Sequence, residues 1–291
     1  MDKKLKVLMI GAHPDDNDIC GGGLALKYAE AGHEVRFLSV CNGCGGHHKM
    51  KPAEVAARRH GETQAVAALA KITYDVWDIP DCEVIADLET RKKLINYIRE
   101  FCPDIIFTHR TNDYHADHRN AAMLVQDASY LLTVPNFCPE TPAMRFMPVI
   151  MYFRDRFKNP PFVPDMIVDI DDVIDKKYEL WNCHVSQFYE WLPYTYGVED
   201  QVPAGDAERL EWLHSPRVSR DEPMQLDELL KIKSPSQHGE AKEATYAAIY
   251  RELLTNRYGE KGKNVIFAEA YECSEYGTEL DEENTKVLFP F

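Results

Sequence analysis

The sequence predicts an α/β fold: a Rossmann-like three-layer sandwich with a mostly parallel sheet, plus a C-terminal α/β extension. Two observations predict the sheet. Short, continuously apolar runs are bounded by turn residues, and helical patterns of roughly 10–15 residues separate them, the signature of βαβ units. A third observation is histidine and aspartate placed directly after two of those runs, at the sheet edge where open α/β folds take ligands. The 291 residues suffice for one such domain, read as core βα units over 1–132 with the strands and helices of 133–291 packed on them.

Lys6–Ile10 reads as a buried strand that ends in Gly11-Ala12-His13-Pro14-Asp15-Asp16. Gly22–Ala31 reads as a helix stopped by Gly32, and Glu34–Val40 as the second strand. Cys41–Pro52 holds Gly43, Gly45, Gly46, His47 and His48, a composition that excludes regular structure. Ala53–Ala70 carries Val55, Ala56, Ala65, Val66 and Leu69 at near-helical spacing, and Thr73–Trp77 follows as a third strand. Leu88–Phe101 is an amphipathic helix on Leu94, Ile95 and Ile98 that ends before Pro103. Asp104–Thr108 is the fourth strand and Asn120–Leu132 the next helix.

From Thr133 the pattern loosens, with Pro135, Pro139, Pro142, Pro148, Pro160, Pro161 and Pro164 between short apolar runs. Val149–Phe153 and Met166–Ile170 read as strands at the sheet edge, where proline is tolerated. Val173–Trp191 reads as a helix and Leu192–Gln237 as an irregular excursion. Glu240–Tyr258 is a final helix stopped at Gly259, and Asn264–Glu272 a last strand.

The net charge of −15 argues against nucleic-acid backbones and anionic membrane surfaces as partners, since both require a basic face. No run approaches the length of a membrane span, and the apolar run after Met1-Asp2-Lys3-Lys4 is too short for a secretory signal. A cytoplasmic location is expected, with the eight cysteines as reduced thiols. A homo-oligomer is compatible with all of this. Cys41-Asn42-Gly43-Cys44 has C-x-x-C spacing but no second pair nearby, and reads as small residues in a glycine-rich loop. Gly11 and Gly21-Gly22-Gly23 do not fit G-x-G-x-x-G, and Asp15 and Asp16 would face a pyrophosphate, which disfavours nucleotide binding.

The chemistry lies in two strand-end loops. His13 and Asp16, three apart around Pro14, can point an imidazole and a carboxylate at a common atom, leaving Asp15 free. The fourth strand is followed by His109-Arg110-Thr111-Asn112-Asp113-Tyr114-His115-Ala116-Asp117-His118 at the same edge of the sheet. Two histidines and one aspartate drawn from these loops give the three protein ligands of a catalytic zinc site, with a position left for water. Fe²⁺ would accept the same ligands.

Ala12-His13-Pro14-Asp15-Asp16 with His115-Ala116-Asp117-His118 downstream resembles the LmbE-like (PIG-L) deacetylases, zinc enzymes that hydrolyse N-acetyl groups from glucosamine-containing substrates. The resemblance extends to Arg59-His60-Gly61-Glu62, His184-Val185-Ser186-Gln187, Tyr258-Gly259-Glu260 and Phe267-Ala268-Glu269-Ala270-Tyr271. It implies His13, Asp16 and His118 as zinc ligands and Asp15 as the base that takes a proton from the metal's water. It implies that His115 polarises the amide oxygen or protonates the leaving amine, and that Arg59 and His184 bind substrate. The implied activity is removal of acetate from an N-acetylglucosamine-type sugar or its conjugate. The alternative on the same metal site is an amidase acting on a non-sugar thiol or cysteine conjugate. Two positions depart from the family pattern: Asn17 stands where its motif has glutamate, and Asp113 where some sugar-specific members have tyrosine, with Tyr114 off by one.

Overall fold

The computed structural model describes residues 3–291. Seven strands form one sheet in the order β3-β2-β1-β4-β5-β7-β6: β1 Lys6–Gly11, β2 Glu34–Ser39, β3 Thr73–Val76, β4 Ile105–Thr108, β5 Val149–Phe153, β6 Met166–Asp169 and β7 Ala268–Cys273. The first five strands are mutually parallel, and β7 runs antiparallel between β5 and β6. β5 therefore lies inside the sheet, not at the edge expected from its flanking prolines. Those prolines sit in the connections, outside the ladder, so β5 keeps its backbone donors.

Alternate residues of each strand face opposite layers. Val7, Met9, Phe37 and Phe107 pack under α1 (Asp16–Glu30), α2 (Pro52–Ala70) and α5 (Ile174–Cys183). Leu8, Ile10, Leu38 and Ile106 pack under α3 (Leu88–Phe101) and α4 (Ala116–Leu131). Burial on both faces explains why these strands are continuously apolar. Buried Arg99 of α3 donates to the carbonyls of Leu131, Leu132, Val134, Phe137 and Cys138, which fixes the chain after α4.

Several boundaries differ from the sequence reading, and each difference has a local cause. α1 begins at Asp16, not Gly22, and so contains the glycine triplet. A Cβ on Gly23 would stand 2.9 Å from both Glu269 Oε1 and Ile170 Cγ2, so the absent side chain is what lets α1 lie against β7. Glu269 also accepts from the backbone N–H groups of Gly23 and Leu24 at 2.9 and 2.8 Å. α4 begins at Ala116 with His115 as its N-cap, which lifts Asp117 and His118 out of the loop and into the first helical turn. The helix expected over 173–191 breaks at His184, whose ring turns inward, and resumes as a π-helical turn, Gln187–Trp191, followed by α6 (Leu192–Tyr196).

The excursion contains α7 (Asp206–His214) and α8 (Leu226–Leu229). The helix over 240–258 is split at Tyr250 into α9 (Glu240–Ile249) and α10 (Arg251–Tyr258), and a terminal helix α11 (Glu282–Leu288) escapes the sequence reading. No described helix is long and apolar enough to cross a membrane.

Gly23 supplies a stability test. Alanine is the better helix former by about 1 kcal/mol, but overpacking a tight contact costs about 1–3 kcal/mol. Gly23→Ala is expected to lower the unfolding free energy in a urea titration; an unchanged or higher value contradicts the packing described.

Candidate active site

The strand order reverses between β1 and β4, and the crevice beyond their carboxyl ends holds the candidate site. After β1 the backbone N–H groups of Asp15 and Asp16 both turn back to His13 O at 2.9 and 3.3 Å. The Asp16 carboxylate in turn accepts the His13 N–H at 2.7 Å. After β4, Asp113 accepts from the His115 N–H at 2.8 Å, and the first turn of α4 presents His118 toward His13.

Three residues meet in a triangle, with Asp16 turning a different carboxylate oxygen to each histidine. His13 Nδ1 lies 3.2 Å from His118 Nε2 and 3.4 Å from Asp16 Oδ2, and His118 Nε2 lies 3.5 Å from Asp16 Oδ1. Metal bonds of ~2.0–2.2 Å at tetrahedral angles place donor atoms ~3.3–3.6 Å apart, a range that these separations approach. The opposite nitrogen of each ring is engaged. His13 Nε2 faces Asp81 Oδ1 at 3.2 Å and Asp117 Oδ2 at 3.4 Å, and His118 Nδ1 meets Asp113 Oδ2 at 2.9 Å. With those nitrogens carrying the protons, the two facing nitrogens present lone pairs to each other and to a carboxylate. Such a set is repulsive until a cation or proton stands within it.

The surrounding carboxylates are held by backbone N–H groups. Asp117 accepts from Cys82 N at 2.7 Å and Val84 N at 3.2 Å, and Asp81 accepts from Gly45 N at 3.2 Å. His109 Nε2, in the β4 loop, stands 3.1 Å from Asp16 Oδ2. Asn17 instead turns to Leu38 O at 3.0 Å, and no hydrogen bond joins it to the triangle among the described residues. The charge expected from a glutamate at that position comes here from Asp81, Asp113 and Asp117. Asp113, where a tyrosine was looked for, orients His118. Tyr114 stands exposed on the cleft rim.

His115 differs from the other two rings. Its Nδ1 accepts from the Asp117 N–H at 3.2 Å, so the neutral ring carries its proton on Nε2. Burial, with the neighbouring His13 and His118 rings, pushes its pKa below the ordinary value and favours that neutral form. A ring so fixed donates a hydrogen bond in place of ligating. Asp15 Oδ1 lies 2.9 Å from Arg59 Nη2, and Arg59 Nη1 donates to Gly43 O at 3.2 Å. Arg59 thus lines the cleft but is buried and tied to Asp15, a placement that differs from a side chain reaching freely for substrate. Gly43 has φ +65° and lies so close to the guanidinium that any Cβ there would clash with Arg59.

His184 lies behind the cleft, not on its wall. It is wholly buried, with Nε2 3.1 Å from Asp18 Oδ2, angled off a straight hydrogen bond. Tyr74 Oη donates to the same oxygen at 3.1 Å, and Trp181 Nε1 to Asp18 O at 3.0 Å. The substrate role expected of His184 has no geometric support; its ring braces the first turn of α1.

The cleft has a volume of about 370 Å³. Its roof is the glycine-rich loop after β2 joined to the π-helical turn. Arg58 pairs bidentately with Glu190 at 2.8 and 2.7 Å, His47 Nε2 meets Glu190 at 2.8 Å, and Gln187 donates to Gly46 O at 3.0 Å. His48 stacks on Tyr194 with centroids 4.0 Å apart. Trp191, Leu192, Tyr196 and Tyr114 give the mouth an aromatic and apolar rim above the polar floor. Cys41 lies buried behind His13, and all eight cysteines are free thiols. Cys82, on the cleft wall, is pushed up to about 11 by partial burial and the Asp81 charge, which keeps its thiol protonated.

The family model for PIG-L, GlcNAc-PI de-N-acetylase, matches residues 8–129. The diacetylchitobiose deacetylase of Thermococcus kodakarensis is 30% identical over 205 residues, spanning 65% of this chain and 74% of that protein. The 4-oxalmesaconate hydratase of Pseudomonas putida is 27% identical over 196 residues, spanning 65% of this chain and 76% of that protein. The solved N,N'-diacetylchitobiose deacetylase of Pyrococcus horikoshii superimposes with a TM-score of 0.62 at 23% identity, over 92% of this chain and 83% of that one.

Two outcomes follow from the triangle. Burial alone would lower the His13 pKa, but Asp117, Asp16 and Asp81 outweigh it and hold the ring well above the ordinary value. His118 is raised likewise, its burial outweighed by Asp16 and Asp113. Protons therefore compete with a cation, and zinc affinity measured by chelator competition should rise steadily from about pH 6 to about pH 8; a flat profile contradicts the ligand set. Asp113→Asn should weaken zinc binding by about 10–100-fold without unfolding the protein, as read by the same competition and by circular dichroism.

Proposed function

Because the chain belongs to the PIG-L (LmbE-like) family, we propose that it is a metal-dependent hydrolase removing acetate from an N-acetylglucosamine-type sugar or its conjugate. The observation that carries this reading is the juxtaposition, in one cleft, of the donor triangle with Asp15 and the His115 ring. His13 Nδ1, Asp16 and His118 Nε2 would hold the ion. When bound, zinc or ferrous iron supplies Lewis acidity, which makes water ionisable near neutral pH and polarises an amide carbonyl.

The chain's own residues do the rest. Arg59 anchors Asp15 through Oδ1, leaving Oδ2 to take the proton from the attacking water. His115 donates an Nε2–H hydrogen bond to the carbonyl oxygen throughout, and as the amide bond breaks Asp15 passes the proton it took from water to the departing amine. Trp191, Tyr196 and Tyr114 offer flat apolar faces to a sugar ring at the mouth, while the roof limits water access. A cytoplasmic site of action fits the eight free thiols.

The hydratase relative supports a second reading, in which the same proton-accepting Asp15 directs water onto a carbon–carbon double bond. Acetate release decides between them. The zinc-loaded protein should liberate acetate from N-acetylglucosamine or a conjugate, lose activity with a chelator and regain it with zinc. A panel that also holds an N-acetylcysteine conjugate and an unsaturated acid separates the amidase and hydratase readings. Asp15→Asn should retain zinc and lose at least about a hundredfold in kcat, whereas His13→Ala should lose both; full zinc occupancy in His13→Ala contradicts the ligand assignment.

A further inference from the structure

Past Ile19 and His238, the cleft adjoins a second, deeper cavity of about 80 Å³, with those two residues on the wall shared by both. This inner chamber is lined by Arg154, Lys177, Lys242, Glu243, Tyr246 and Glu269, among others. Its two carboxylates are already engaged: Lys177 Nζ lies 3.0 Å from Glu243 and 2.8 Å from Glu269. Glu269 further accepts from Gly23 N, Leu24 N and Tyr271 Oη.

That pairing leaves two cations over. Among the described residues neither Arg154 nor Lys242 has a carboxylate within 4.0 Å. Lys242 Nζ donates only to Gln237 O at 3.1 Å, and the Arg154 guanidinium lies on the Tyr246 ring at 3.3 Å. Burial, with the positive charges of Arg156 and Arg154 against one acid, Glu243, depresses the Lys242 pKa. His238 is buried on the shared wall, and its Nε2 has no hydrogen-bond partner. Partly buried cations without a paired carboxylate, beside a buried nitrogen with no hydrogen-bond partner, leave room for an anionic ligand to complete them.

We propose that this chamber binds an oxyanion of the substrate, a carboxylate or phosphate, through Arg154, Lys242 and the His238 ring. Ile19 and His238 line both cavities, so the anionic group and the reacting group of one substrate occupy adjoining chambers. The substrate is therefore an acidic molecule. That its reacting group is an N-acetyl amide rests on the deacetylase reading; the anion site does not.

Two assays on the zinc-loaded full chain separate these claims. Calorimetry with inorganic phosphate and with succinate should show binding of at least one of them to the wild type. That binding should weaken at least tenfold in Arg154→Gln and in Lys242→Met. A phosphate-only or succinate-only response identifies the preferred anion. Acetate release should favour N-acetylglucosamine 6-phosphate or N-acetylmuramic acid over N-acetylglucosamine by at least tenfold in kcat/KM. Both variants should erase that preference while changing turnover of the neutral sugar less than threefold.

Anion binding absent from the wild type, or unaltered by both substitutions, overturns the anion site whatever the turnover. Variant-sensitive anion binding without acetate release from any substrate overturns the deacetylase reading and upholds the anion site. If either variant unfolds, wild-type crystals soaked in selenate decide. Anomalous density between Arg154 and Lys242 upholds the site, and its absence there overturns it.

Discussion

The site depends on a constraint of protonation. A histidine ligates a metal only through a nitrogen that carries no proton, and which nitrogen that is depends on what the other one meets. Here Asp81 and Asp117 hold the far side of His13, and Asp113 holds the far side of His118. The near sides are left with lone pairs converging beside Asp16. His115 obeys the opposite rule: a backbone N–H occupies its Nδ1, so its proton stands on the cleft side. One helix N-terminus thus gives two histidines three residues apart opposite tautomers, which suits His118 to ligation and His115 to hydrogen-bond donation in the proposed reaction.

The fold serves that constraint by bringing four loops to one edge. β1 delivers His13 and Asp16, β2 the roof loop, the chain beyond β3 delivers Asp81, and β4 with α4 delivers His115, Asp117 and His118. The close contact of Gly23 with Glu269 locks α1 against β7, and α1 carries Asp16 at one end and the wall of the inner chamber one turn later. α1 thus contributes both to the candidate metal site, through Asp16, and to the wall of the inner chamber, through Ile19 and Cys20.

Much of this was legible in the sequence where the signal is local. The apolar runs of β1 and β4 and the histidine–aspartate loops after them located the sheet and the ligand-bearing edge. Residues whose role depends on contacts between distant segments were not legible. Asp81 stands in a loop with no motif, and the parts played by Asp113 and Asp117 depend on the fold placing a histidine ring beside each. Arg154 and Lys242 lie 88 positions apart and meet only because β5 and α9 flank the same cavity. The glycine triplet was misread as a helix boundary because a close helix–strand approach leaves the same sequence mark as a turn. His184 was read as a cleft residue because its motif names the residue without its direction, and the break in the helix turns the ring inward.

X-ray absorption of the zinc-loaded protein tests the central claim most directly, since it reads ligand type and distance at the metal. The account predicts two imidazole nitrogens and a carboxylate oxygen at about 2.0–2.2 Å, with no sulfur shell. A sulfur at about 2.3 Å would place the metal on the far side of His13 with Cys41. Three imidazoles would make His115 a ligand, and either result would contradict the assignment of the two near-side nitrogens.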